Sequence, residues 1–173
     1  MSAQRLESKR LLLLPWESAD WATFKPIAID PVVMRYIGDG KPWPEEKIRE
    51  FVERQRRHYQ ELDYCLWKLI LKRDGRLVGF CGLQPLDDLP GVEVGWWLAQ
   101  DQWGQGLATE AASVAVGDGF DRIGLPRIVA VALKENRASI HVMEKLGMRY
   151  EGVAIHHGFP VALYSLKKEF CST

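Results

Sequence analysis

With 173 residues, 47% of them hydrophobic and 27% charged, the chain has the make-up of an ordinary globular protein, long enough to bury roughly 70% of the surface its unfolded form would expose. Lys plus Arg and Asp plus Glu each number 23, so the formal charge is zero and the electrostatic footprint of a general nucleic-acid binder is absent. No stretch approaches the ~20 apolar residues needed to cross a bilayer, and the short run Leu11–Leu14 follows charged residues and is closed by Pro15, so neither a membrane anchor nor a secretory leader is expected.

Cys65, Cys81 and Cys171 are odd in number, widely separated and outside any metal-ligand spacing, which suits reduced thiols in a cytoplasm. No repeat, low-complexity tract or linker divides the chain, so one domain over residues 1–173 is expected, as a monomer or homodimer.

In chain order, residues 5 to 14 read as a first strand. Ser18 or Asp20 can start a helix running to about Ala28, and Asp30-Pro31 opens a short helix through Met34 and Tyr36. The turn formers between Gly38 and Pro44 end that pattern. Pro44 suits an early position of a charged helix whose Ile48, Phe51, Val52 and Tyr59 share one face. Strands follow at about 64–72 and 77–85, divided by Arg73-Asp74-Gly75-Arg76, in which Asp-Gly signals a hairpin. A strand at 91–99 leads through a glycine turn into a helix ending near Ile123, stopped by Gly124 and Pro126. Residues 127–133 form a β-branched strand, Asn136 to Leu146 a helix closed by Gly147, and the remainder two strands joined near Gly158-Phe159-Pro160. This order predicts a mixed α/β (α+β) fold.

The most informative stretch is Val92-Glu93-Val94-Gly95-Trp96-Trp97-Leu98-Ala99, followed by Gln102-Trp103-Gly104-Gln105-Gly106-Leu107-Ala108-Thr109-Glu110. A strand, a glycine turn and a helix N-terminus in succession direct bare backbone amides at one incoming anion. Gly104 and Gly106 keep Cβ atoms out of the way, and the first helical N–H groups have no intrahelical acceptors. The arrangement reads as a phosphate cradle.

The same span resembles the acyl-CoA signature of the GNAT superfamily of N-acetyltransferases: Gln or Arg, two residues, Gly, one residue, then Gly or Ala. It falls on Trp103, Gly106 and Ala108. Tryptophan at the first position, with the Glu-Val-Gly-Trp-Trp-Leu strand before it, is similar to the branch containing ribosomal-protein N-terminal acetyltransferases. A second stretch, Asn136 through Glu144-Lys145-Leu146-Gly147-Met148, is similar to the segment that lies beside pantetheine and the acyl sulfur in this superfamily. The resemblance implies the GNAT fold, a mostly antiparallel central sheet of about seven strands flanked by helices and splayed at strands 4 and 5. It implies acetyl-CoA as cosubstrate, no metal, and a primary amine as acceptor, on either a protein N-terminus or a small molecule. Cofactor contacts are expected from the main chain at Trp97, Leu98 and Ala99, from Trp103, Gly104, Gln105, Gly106, Leu107, Ala108 and Thr109, and from Asn136 and Ser139. Asn136 is also a good helix N-cap, a role compatible with ligand contact.

Direct attack of the amine on the thioester requires a held carbonyl, a neutral amine and a departing thiolate. An α-amine of pKa about 7.8 needs about 1 kcal/mol to be neutral at pH 7, and a lysine at about 10.4 needs 4 to 5 kcal/mol, so a weakly basic amine asks little of a base. Glu93 is the first candidate base, placed by strand alternation on one face with Gly95 and Trp97; its alternative is a structural carboxylate held inside the fold. A free carboxylate is a poor acceptor, so burial or a water relay would be needed. His156 and His157 are alternative bases by intrinsic pKa, or surface imidazoles; His141 packs or faces solvent.

Many superfamily members carry a tyrosine seven residues after the asparagine to protonate the thiolate. Met143 stands there and cannot donate, leaving Ser139, as the resemblance implies, or a water. Trp96, Trp97 and Trp103 either wall the channel or pack the core, and Cys81 reads as a small buried hydrophobe. Acceptor specificity is expected in residues 28–48 and 153–162, including Tyr36, Trp43, His156 and Phe159, where the absence of an acidic cluster argues against a polycation.

Two competing readings are a non-catalytic acyl-CoA sensor or scaffold, suggested by Met143, and a dinucleotide-binding oxidoreductase built on Gly104 and Gly106. The second fails on context: Thr109 replaces the third glycine, and the strand comes fourth instead of opening a βαβ unit.

Overall fold

The computed structural model describes residues 4–169. Cys171, named above, lies outside them.

The stretch expected as one strand is two, β1 (Leu6–Glu7) and β2 (Leu11–Leu14), paired antiparallel. The turn between them closes where Ser8 N–H donates to the Leu11 carbonyl at 2.9 Å and the Ser8 hydroxyl accepts the Leu11 N–H at 3.2 Å. Such local bonding by serine competes with strand continuity. The helices α1 (Asp20–Ala28), α2 (Pro31–Met34) and α3 (Glu45–Leu62) follow. Asp30 caps α2 by accepting the Val32 N–H, with Pro31 at the first helical position, and Pro44 sits one residue outside α3.

Strands β3 (Leu66–Leu71) and β4 (Leu77–Pro85) form the hairpin that Asp74-Gly75 signals, with Gly75 at φ 72° and the Asp74 carboxylate accepting the Arg76 N–H. Then come β5 (Val92–Leu98), α4 (Leu107–Asp118), β6 (Arg127–Ala132), α5 (Arg137–Lys145), β7 (Arg149–His156) and β8 (Phe159–Lys167). Helix α4 continues through a wider π turn at Gly119–Ile123 before Gly124 ends it at φ 80°. There the helix presses tightly on the sheet: a Cβ on Gly119 would lie 2.7 Å from Leu83 Cδ1.

The sheet runs β1-β2-β3-β4-β5-β6-β8-β7, eight strands where about seven were expected, the difference being the split first strand. Every neighbouring pair is antiparallel except β5 and β6, which run parallel and share one register pair, Glu93 with Val129. The fourth and fifth strands of the sequence reading are β5 and β6, and the sheet divides there into two arms. Alternation sorts β4 between two layers. Phe80 faces α1 and α3 in an aromatic cluster with Phe24, Phe51 and Trp97, while Leu83 faces α4. Lys68, at the buried end of the exposure scale, is answered by Asp20 of α1 at 2.7 Å.

Candidate active site

Because β5 and β6 are parallel and barely joined, the turns after them open at the same end of the split, where α4 and α5 begin. A crevice outside the carboxyl ends of diverging parallel strands is where open α/β sheets receive ligands.

The two helix starts differ. At α5 the Asn136 side chain accepts the Ser139 N–H at 3.3 Å, so its first turn is capped. At α4 the cap residue is Gly106 in left-handed geometry, φ 77°, with no side-chain cap. The first main-chain bond of the helix is Glu110 N–H to the Gly106 carbonyl, which leaves the N–H groups of Leu107, Ala108 and Thr109 without intrahelical acceptors. Nothing lies within 4 Å of where a Cβ on Gly104 would sit. Bare amides, a helix dipole and open space fit the diphosphate of a coenzyme.

Arg10 and Glu110 build the rim of this cradle, and their pairing across a hundred residues is invisible in the sequence. Arg10 Nη2 donates to the Gln105 carbonyl at 2.9 Å and Nε to Glu110 at 2.8 Å. Glu110 also accepts the Ser8 hydroxyl at 2.5 Å and the Arg10 N–H at 2.9 Å. Burial pushes the Glu110 carboxyl up, but the bonds from Ser8 and Arg10 outweigh it and hold it below its ordinary range.

The edge of β5 that faces the gap is set by hydrogen-bond phase. Ala99 N–H donates to the Val78 carbonyl at 2.8 Å, and Ala99's own carbonyl accepts the Gln102 N–H at 2.9 Å. Trp97 shares Ala99's phase and pairs with Phe80, so both residues commit their main chains away from the gap. Trp96 and Leu98 turn theirs toward it. Of the expected run Trp97, Leu98 and Ala99, Leu98 alone turns its main chain toward the gap, as Trp96 also does. The Leu98 carbonyl already accepts the Trp103 indole N–H at 2.9 Å, which ties the loop carrying Gln105 and the two glycines to the strand. Trp103 leaves 47% of its surface exposed, whereas Trp97 is partly buried, packed against the core between Phe80 and Trp43.

Glu93 sits on the face of α3, 9% exposed, and receives the Gln84 amide at 2.7 Å. Gln84 in turn accepts from Gln55 at 3.4 Å, a fully buried side chain of α3 that also holds the Leu66 N–H. Burial pushes the Glu93 carboxyl up, and the Gln84 bond opposes this only in part. Glu93 is thus a carboxylate held inside the fold and made more basic by it.

Ser139 is half-buried in the first turn of α5, Met143 is in the core at 1% exposure, and His141 is exposed. Burial drives the Cys65 and Cys81 thiols far up, which removes them as nucleophiles. Residues 153–162 carry no acidic cluster of their own, but the β4–β5 loop brings Asp87 and Asp88 against His157 and His156, correcting the sequence-based expectation. Those carboxylates are met by imidazoles, so the correction does not create a free anionic patch for a polycation. Among the described residues no helix is long and apolar enough to cross a membrane.

The model of the Acetyltransferase (GNAT) domain matches residues 10–149. The Bacillus subtilis protein YkkB is 32% identical over 94% of this chain and 95% of its own. A spermidine N(1)-acetyltransferase of Escherichia coli is 29% identical over 85% of this chain and 77% of its own. The crystal structure of a GNAT-family acetyltransferase from Bacillus anthracis superposes with a TM-score of 0.81 at 30% identity, covering 95% of this chain and 98% of that one. With the divided sheet, the uncapped glycine turn and these likenesses together, the chain belongs to the GNAT family of acetyltransferases.

Proposed function

We propose that this protein moves the acetyl group of acetyl-CoA to a primary amine by direct attack within a ternary complex. The observation that carries the reading is the single Glu93–Val129 register pair, which puts a buried, basic carboxylate where the two arms part.

The coenzyme's diphosphate would rest on the amides of Gly104, Gln105, Gly106, Leu107, Ala108 and Thr109, with Arg10 and Trp103 bracing that loop. Pantetheine would pair with the gap-facing main chain of Trp96 and Leu98 and lie beside Asn136 and Ser139. Glu93 receives the proton the amine loses, directly or through one water, while the amine's lone pair forms the new C–N bond. Collapse of the tetrahedral intermediate breaks the C–S bond, and the thiolate takes a proton from Ser139 or from water. A thiol pKa near 8.5 makes that last step undemanding.

Both acceptor classes stay within this reading. The spermidine acetyltransferase likeness supports a small-molecule amine, and the Trp-Trp strand with its Trp103 motif supports a protein N-terminus. The test is thiol release from acetyl-CoA in the presence of a panel of polyamines, aminoglycosides, amino acids and short peptides, with the acetylated product identified by mass. Acetyl-CoA binding without transfer to any member would favour the sensor reading.

A further inference from the structure

The β4–β5 loop and the β7–β8 turn each bring two adjacent metal-ligating side chains to one spot. Asp87 and Asp88 come from the loop, His156 and His157 from the strand end and turn, and one donor atom of each lies within 4.8 Å of all the others. His156 Nδ1 is 2.6 Å from Asp88 Oδ1, and His157 Nε2 is 2.8 Å from Asp87 Oδ1. The second oxygen of Asp88 accepts the His157 main-chain N–H at 2.6 Å, which leaves the first directed into the cluster. The imidazoles stack with centroids 4.0 Å apart. His157 achieves this through a left-handed backbone, φ 49°, so that neighbouring residues of the chain present their rings together.

We infer that these four side chains form a Zn2+ site. Two imidazole nitrogens and two carboxylate oxygens make a donor set of intermediate softness, which suits Zn2+ better than Mg2+ or Ca2+, whose sites are built from oxygens. Tetrahedral bonds of about 2.0–2.1 Å require donors about 3.3 Å apart. The separations present run from 2.6 Å within a pair up to 4.8 Å across the cluster. They bracket the requirement, so side-chain rotation alone would admit the ion. Any proton shared between an imidazole and its carboxylate leaves as the metal binds. The Asp88 bond to the His157 amide then serves as the outer contact that orients a ligating carboxylate.

The ligands lie 68 to 70 residues apart in the chain, which is why cysteine and histidine spacing gave no sign of them. Their position gives the site a consequence. Asp87 and Asp88 belong to the arm that ends in β5, His156 and His157 to the arm of β6, β8 and β7, so the ion would clasp the two arms across the split. Glu93, the buried carboxylate at the parting of the arms, lies within electrostatic reach of both imidazoles.

The experiment uses full-length protein free of any histidine tag, stripped with chelator, then titrated with Zn2+ by calorimetry and with Co2+ by visible absorption. One ion per chain, four-coordinate Co2+ bands and a melting temperature that rises with Zn2+ are expected. Asp88→Ala and His157→Ala, each checked for native circular dichroism, should weaken Zn2+ at least about tenfold and abolish the Co2+ bands. No binding by the wild type, or binding that both variants retain at full strength, would overturn the site and leave two hydrogen-bonded His–Asp pairs. The readouts are metal affinity and spectrum, so they are independent of whether any amine is acetylated.

Discussion

Gln84 donates its amide to Glu93 at 2.7 Å, from the strand paired with β5, and thereby fixes the buried carboxylate beside the sheet's division. A neutral donor is a telling choice. An arginine or lysine there would stabilise the carboxylate and depress its basicity, whereas an amide satisfies one oxygen and lets burial keep the proton affinity high.

Replacing Glu93 with Gln keeps the volume and an acceptor for Gln84 while removing the base. Turnover should fall by about 10²–10⁴-fold, the usual share of general-base catalysis. Acetyl-CoA affinity by calorimetry should not change, because Glu93 is near the start of β5 and the cradle follows the strand's other end. An unchanged turnover number would assign the proton to a histidine or to water.

The raised Glu93 value has a definite sign for stability. The folded protein holds this proton more tightly than the unfolded chain, so the associated stability is fully present below the unfolded carboxylate range, near 4.3, and is lost as pH rises through the higher folded value. Thermal melts of wild type and Glu93→Gln between about pH 4 and pH 8 should therefore diverge, the variant gaining relative to wild type toward neutral pH. The acidic limb of kcat/KM should follow the same raised value and vanish in the variant's residual activity.

Arg10 neutralises Glu110 beside the uncapped start of α4, the proposed phosphate cradle. Arg10→Met should raise the KM for acetyl-CoA by roughly tenfold, because it removes a cation and frees an anion at the same place. Adding Glu110→Gln should recover part of that loss. Non-additivity in this cycle, measured as acetyl-CoA affinity at low and high salt, is the signature; additive effects would mean that the pair only braces the loop.

Local signals made much of this legible. The glycine turn before α4, the Asp74-Gly75 hairpin and the Asn136 cap each depend on residues within a few positions of one another, and each is present where the sequence puts it. What escaped depends on partners remote in the chain. The break at Ser8 is consolidated by Glu110 from α4. The phase that turns Trp96 toward the gap is fixed by Val78 on β4, and a one-residue shift of phase exchanges every main-chain group between the two edges. Gln84 and Gln55 read as ordinary polar residues until the fold stacks them behind Glu93.

Gln55 gives a sharp test of that buried chain. Its oxygen accepts the Leu66 N–H at 2.9 Å with no exposure to water, so Gln55→Leu should cost about 1–3 kcal/mol for the orphaned amide. Gln84 would lose its anchor, and the pH at which activity rises should move because Glu93 would no longer be held in one orientation. A stability loss without a shift in that pH would confine Gln55 to packing.

Asn136 separates capping from ligand contact. Its carbonyl oxygen accepts the Ser139 N–H, and Asn136→Ala should cost about 1 kcal/mol of stability whatever else the residue does. Asn136→Ser keeps a good cap, so its melting temperature should stay close to wild type. Serine cannot reproduce the reach or the amide donors of asparagine. A raised KM for acetyl-CoA in Asn136→Ser at wild-type stability would show that the side chain also meets the pantetheine. A normal KM would leave Asn136 the single task of starting α5, with Ser139 positioned by the helix and not by the coenzyme.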